Sequence, residues 1–111
     1  MTDKIVVLST CATAEEGESI ARGLVSKRLA ACVNLLPGVR SIYHWKNAVE
    51  DSSEVLLLIK TTRERLGELR LELEKLHSYE VPELIALPVV DGAEAYLEWI
   101  DREVAGHKTP E

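Results

Sequence analysis

Four side chains with chemistry to offer, His77, Tyr79, Glu80 and Glu83, stand in the short stretch "KLHSYEVPELIALPV" between the end of a helical stripe at Lys75–Leu76 and an apolar run that begins at Leu84. Such a stretch can ligate a metal, catalyse, or simply connect. Neutral imidazole suits Cu²⁺, Zn²⁺ and Ni²⁺, which makes His77 a candidate metal ligand. The plainer alternative is a histidine favoured by the dipole at a helix C-terminus. Cys11 is the other candidate ligand, because it precedes a helix N-terminus, where a thiolate is stabilised. It is a lone thiol without a C-x-x-C partner. His44 lies mid-strand beside Tyr43 and Trp45 and suits an interface or surface role, and His107 belongs to a tail read as frayed.

Bulk composition narrows the classes. A chain of 111 residues is read as one domain, 1–111. A net charge of -6 disfavours nucleic acid and anionic membrane as main partners. Two cysteines, one of them inside the apolar run "AACVNLL", make no disulfide framework. The start "MTDKIVV" lacks a signal-peptide pattern, and no apolar stretch approaches the roughly 20 residues of a membrane span. The expectation is a cytoplasmic protein.

The elements that must position these groups follow from hydrophobic periodicity. "KIVVLS" (4–9) is a short β-branched strand. Thr13 and Glu16 have capping-box spacing and open a helix running to about Ala30. "ACVNLL" (31–36) is a strand broken by Pro37-Gly38, and "VRSIYHW" (39–45) resumes it. Lys46-Asn47 turns a hairpin, and "EVLLLIK" (54–60) returns, with a bulge or kink expected at Asp51, Ser52 and Ser53. Thr61 and Glu64 repeat the capping-box spacing ahead of a stripe of Leu66, Leu69, Leu73 and Leu76. "LIALPVV" (84–90) is an edge strand because Pro88 cannot donate to a ladder. Asp91 and Glu94 open a last helix with Tyr96, Leu97, Ile100 and Val104 on one face.

The order β-α-β-β-α-β plus a C-terminal helix defines an α+β, ferredoxin-like fold with an antiparallel sheet and both main helices on one side. Right-handed crossovers place the first and third strands at the centre. A half-exposed antiparallel strand should alternate apolar and polar residues, yet "IVVL" and "VLLLI" are apolar on both faces. The second face therefore needs cover, from the last helix or from other copies of the chain in closed symmetry. Tyr43 and Trp45, near the tip of a long hairpin, suit a subunit contact. Between subunits, Tyr43, Trp45, Glu54, Lys60, Tyr79 and Glu83 are expected to line a cleft able to hold a small anion or polar metabolite. An inter-subunit salt-bridge network is the plainer reading of the same charges. The carboxylates at Glu15, Glu16, Glu18, Glu68, Glu72 and Glu74 read as solvated helix faces.

The segments "RLAACVNLLPGVRSIYHW", "EVLLLIKT", "HSYEVPELIALPV" and "YLEW" resemble the CutA family of divalent-cation-tolerance proteins, over about Val6 to Trp99. The resemblance implies a ferredoxin-like homotrimer built like the PII signalling proteins, with sheets meeting around a threefold axis. It also implies a role in tolerance of, or response to, copper and other divalent cations, with Cu²⁺ or a similar cation bound by some members. Some members carry Cys in the slot that holds Ser9 here, with Cys11 two places later. The family's His-Pro-Tyr is His77-Ser78-Tyr79 here, and members with adjacent histidines would have one at Leu76.

Other functions of this architecture fit less well. An RNA-recognition module needs aromatic stackers on the central strands and a basic face. An acylphosphatase-like enzyme needs an arginine in the loop after the first strand, and "STCATAEEG" has none. Cys11 and His77 are compatible with a hydrolase without indicating one. The sequence reads as a non-enzyme. It is a cation-binding homotrimer on one reading, and on the other a PII-like trimer that binds a small metabolite without physiological metal.

Overall fold

The computed structural model describes residues 2–105. His107 and the rest of the tail lie outside the described residues. Along the chain run β1 (Lys4–Cys11), α1 (Ala14–Ser26), β2 (Cys32–Trp45), β3 (Ala48–Thr62), a 3₁₀ turn (Arg63–Arg65), α2 (Leu66–Leu76), β4 (Ile85–Pro88) and α3 (Glu94–Ala105). The four strands form one antiparallel sheet in the order β2-β3-β1-β4. The expected α+β order holds, and β1 and β3 occupy the centre.

Alternation along the two central strands divides the sheet into two faces. Ile5, Val7, Cys11, Val55, Leu57 and Ile59 pack beneath α1 and α2, against Ile20, Leu24, Leu69 and Leu73. α1 starts where expected, because Thr13 Oγ1 accepts the amide of Glu16 at 3.1 Å. It stops earlier than the periodicity suggests. Arg28 takes a left-handed φ of 58°, and the amides of Leu29 and Ala30 turn back to the Leu24 carbonyl. The second expected capping box does not form. Thr61 is buried in β3, where its hydroxyl donates to the Leu29 carbonyl at 2.7 Å, and the turn begins after Thr62. The leucine stripe of α2 is as read, with Leu69 and Leu73 fully buried.

Two corrections concern the long hairpin. β3 runs without irregularity through Asp51, Ser52 and Ser53, which pair with Ile42, Ser41 and Arg40. The irregularity is on β2, which Pro37-Gly38 bulges rather than breaks. Leu36 faces Leu56 and Val39 faces Glu54, so two residues stand opposite Val55. Gly38 supplies the φ of +78° that this requires. The extra residue inverts the alternation of β2 beyond it. Residues 39, 41, 43 and 45, which would otherwise point to the helix side, join Glu54 and Thr10 on the other face. At the tip, Lys46 and Asn47 both have positive φ (49° and 68°), the signature of a two-residue type I′ turn.

α3 covers only one end of the second face. Ile100 and Val104 bury against Ala31, Lys4 Nζ reaches Asp101 at 2.7 Å, and Lys60 Nζ lies 5.7 Å from the Tyr96 ring centroid. Tyr96 itself is exposed, at the margin of the helix's apolar face. Val6, Leu8, Leu56 and Leu58 on the central strands remain half-exposed, flanked by Leu36, Ile85 and Leu87 at 39, 50 and 45% exposure.

Candidate functional site

The bulged strand, the end of β1 and the segment after α2 meet in an open cleft of about 850 Å³. Its walls include Tyr43 and Trp45 from β2, Glu54 from β3, Thr10 from β1, and residues 78–83. Of the six residues expected to share a cleft, the structure brings Tyr43, Trp45, Glu54, Tyr79 and Glu83 together. Within one chain Lys60 does not join them. It lies six residues further along β3, about 20 Å away at the usual strand rise, beneath Tyr96. Alternation alone places Lys60 and Glu54 on the same face and hides this separation.

His77 sets the conformation of the segment. Its side chain is fully buried, with Nε2 2.7 Å from the Thr10 carbonyl and Nδ1 accepting the Tyr79 amide at 3.0 Å. A carbonyl can only accept and an amide can only donate, so the ring is the neutral Nε2–H tautomer with both nitrogens engaged. The Glu16 carboxylate completes the latch by accepting the Ser78 amide at 2.7 Å, instead of closing a capping box on Thr13. Glu16 also lies 3.6 Å from His77 Nδ1. Burial raises its pKa, but the hydrogen bonds from Ser78 and Ala12 outweigh it and hold the carboxyl below 4.5. Tyr79 then lays its ring beside the imidazole, centroids 4.7 Å apart, and donates its hydroxyl to Glu54 Oε2 at 2.6 Å. Burial, with the Glu54 hydrogen bond, pushes the phenol well above its usual 10.0, so it stays a donor.

Neither expected metal ligand is presented to a metal. A cation at His77 would have to displace the Tyr79 amide or the Thr10 contact. Cys11 is fully buried, and its Sγ faces the carbonyls of Thr13 and Val55 at 3.5 and 3.9 Å. Burial pushes its thiol up to about 11, with the charges of Glu16 and Glu54 adding to it. The helix N-terminus does not activate it, contrary to the sequence expectation, because desolvation in the core dominates. Ser9 is equally buried, and its hydroxyl finds no partner among the described residues. No group of three His, Cys, Asp or Glu side chains able to hold a metal occurs among the described residues. The donors present thus do not fit a Cu²⁺ centre at His77 and Cys11.

A smaller hollow of about 370 Å³ beside α2 is lined by Lys27, Glu72 and Lys75. Its charges satisfy one another, with Lys27 Nζ 2.8 Å and Lys75 Nζ 3.7 Å from Glu72. The latch of Glu16 onto Ser78 is the part of the site that sequence reasoning missed. Its only signal was a capping-box glutamate, which normally turns to its own helix.

This sheet, bulged hairpin and latched segment define a class of small α+β proteins to which comparison gives a family. The profile described as "CutA1 divalent ion tolerance protein" matches residues 5–103, and the chain belongs to that family. It is 46% identical over 101 residues to the divalent-cation tolerance protein CutA of Thermus thermophilus, covering 91% of this chain and 97% of that protein. It is 48% identical over 91 residues to human Protein CutA, covering 82% of this chain and 51% of that protein. The chain thus spans about half the length of the human and mouse CutA relatives. The crystal structure of CutA from Xylella fastidiosa superposes with a TM-score of 0.91 at 42% identity, covering 93% of this chain and 99% of that one. Membership places the chain among divalent-cation tolerance proteins, which are not enzymes. No helix among the described residues is long and apolar enough to cross a membrane. Relatives carry different addresses in their names, chloroplastic in Arabidopsis thaliana and periplasmic in Archaeoglobus fulgidus.

Proposed function

We propose that the chain serves divalent-cation tolerance as a homotrimer of PII-like build, and that the cleft beside Tyr79, not the His77–Cys11 pair, receives its ligand. The observation that carries the trimer is the half-exposed apolar face of Val6, Leu8, Leu56 and Leu58, which α3 leaves uncovered. A contiguous apolar patch of this kind marks an association surface. The count of three follows the family resemblance. Sedimentation tests it: the expected mass is three times the 12.4 kDa of the chain, and Leu58→Asp should release single chains. A stable 12.4 kDa particle at dilute, near-neutral conditions overturns the reading.

On this reading Cu²⁺ and similar divalent cations meet the protein only weakly, at exposed oxygens. Copper titration by calorimetry on wild type, His77→Ala and Cys11→Ala should give the same weak binding in all three. Micromolar binding lost in His77→Ala would restore the metal-ligand role. The second reading, a small-metabolite trimer without physiological metal, is favoured by one observation: the cleft carries carboxylates with no metal-holding group among the described residues. A cytoplasmic location is part of the proposal, supported by two cysteines left as free thiols. Fractionation of the source cells tests it.

A further inference from the structure

We propose that the cleft beside Tyr79 is a site for a small organic cation bearing a primary ammonium group. This rests on the reading of the cleft as the ligand site and adds the ligand's chemistry.

Charge points first to a cation. The described residues that line the cleft include three carboxylates, Glu54, Glu80 and Glu83, and no lysine, arginine or histidine. An anionic metabolite would enter against this field with no counter-charge among the described lining residues. The cation is not a bare metal ion, because the described residues nowhere gather three ligating side chains. Aromatic walls supply what an organic cation uses instead. Tyr43, Trp45 and Tyr79 all face the cleft, and a ring face attracts an ammonium within about 6 Å of its centroid.

The inner end of the cleft carries a built acceptor. Glu54 is 6% exposed, and its Oε2 is fixed by the Tyr79 hydroxyl at 2.6 Å. No hydrogen bond from a described residue reaches its Oε1. A buried carboxylate with one oxygen anchored and the other free is ready to accept an N–H donor. The chain also shows the interaction at the rim. Lys46 Nζ lies 5.7 Å from the Trp45 ring centroid and 4.0 Å from Glu80 Oε1, a primary ammonium between an aromatic face and a carboxylate. A diffusible amine would compete with Lys46 for these groups and reach Glu54 behind them. The volume of about 850 Å³ falls within the range of small-molecule sites.

The test is calorimetry on the full chain at its native mass, with 1,4-diaminobutane, tetramethylammonium, succinate and Mn²⁺ as probes. The diamine should bind, and tetramethylammonium should bind more weakly because it offers Glu54 no N–H. Glu54→Gln keeps a carbonyl for the Tyr79 hydroxyl and should weaken the diamine about tenfold or more. Lys46→Ala should tighten it, by removing the internal competitor. Diamine binding unchanged by Glu54→Gln overturns the proposal, as does Mn²⁺ binding that Glu54→Gln abolishes. Succinate binding without diamine binding overturns it while leaving the cleft as a ligand site. Silence from all four probes in a preparation of trimer mass sinks both the proposal and the reading beneath it.

Discussion

The imidazole of His77 accepts the backbone amide of Tyr79, two residues ahead, at 3.0 Å. The bond turns the chain sharply after α2 and aims the Tyr79 hydroxyl at Glu54. His77 thereby acts as a backbone clamp whose second nitrogen is spent on Thr10. Replacing it with alanine leaves a buried carbonyl and an amide without partners and empties a ring's volume. His77→Ala should lose about 3 kcal/mol of stability in urea unfolding. Loss below 1 kcal/mol would show that the clamp is dispensable.

Alkaline pH should weaken the fold over two overlapping ranges. A group whose folded-state pKa lies above its unfolded value lends stability that is complete below the unfolded value and fades as pH climbs through the folded one. Cys11 has a folded value of about 11 against 9.0, and Tyr79 is raised above 10.0. Wild type should therefore weaken from about pH 9 upward. Cys11→Ala should flatten the profile between pH 9 and 11, and Tyr79→Phe the part above pH 10. Urea midpoints measured across this range decide it, and parallel profiles in all three proteins would contradict the assignment.

Glu16 works in the opposite direction. Its carboxyl is held below 4.5, so its contribution is present above that value and is lost as pH falls through the folded pKa. Glu16→Gln should lower stability at pH 7 and narrow its gap to wild type below pH 4. The same unfolding series, run into acid, checks this; a gap that stays constant would mean the Ser78 contact carries no charge component.

Two glycines in helices should answer alanine differently. At Gly67 in α2 a Cβ meets nothing within 4 Å, and Gly67→Ala should gain about 0.5–1 kcal/mol. At Gly17 in α1 a Cβ would stand 3.2 Å from both Cys11 Sγ and Leu35 Cδ2. There the packing conflict should outweigh the helix gain, and Gly17→Ala should lose about 1 kcal/mol. Thermal melts distinguish the two signs.

The order of elements was legible because the strands and helices carry clean periods. "VLLLI" between polar flanks and the leucines of α2 leave little choice. The bulge was harder to place. Pro37-Gly38 and Asp51-Ser52-Ser53 are both plausible breakers, and only pairing shows that the positive φ of Gly38 absorbs the extra residue. The site was half legible. Tyr43, Trp45, Glu54, Tyr79 and Glu83 could be grouped by element and face. Lys60 shares that face but not that end of the strand. His77 was misleading for a different reason: its partners are main-chain groups of Thr10 and Tyr79, which no side-chain pattern records. Cys11 sits where a helix terminus should lower its pKa, but the burial that reverses the effect comes from its place in the apolar core, with Gly17 close by.

The dipeptide Pro37-Gly38 works as a half-step in the rhythm of the ribbon. Trimming one residue there would leave a hairpin of ordinary length that carries Tyr43 and Trp45 on the wrong side, while trimming or adding residues in pairs keeps them in phase. The distal ribbon can therefore change its reach only in increments of two, bound in parity to the glutamate it faces.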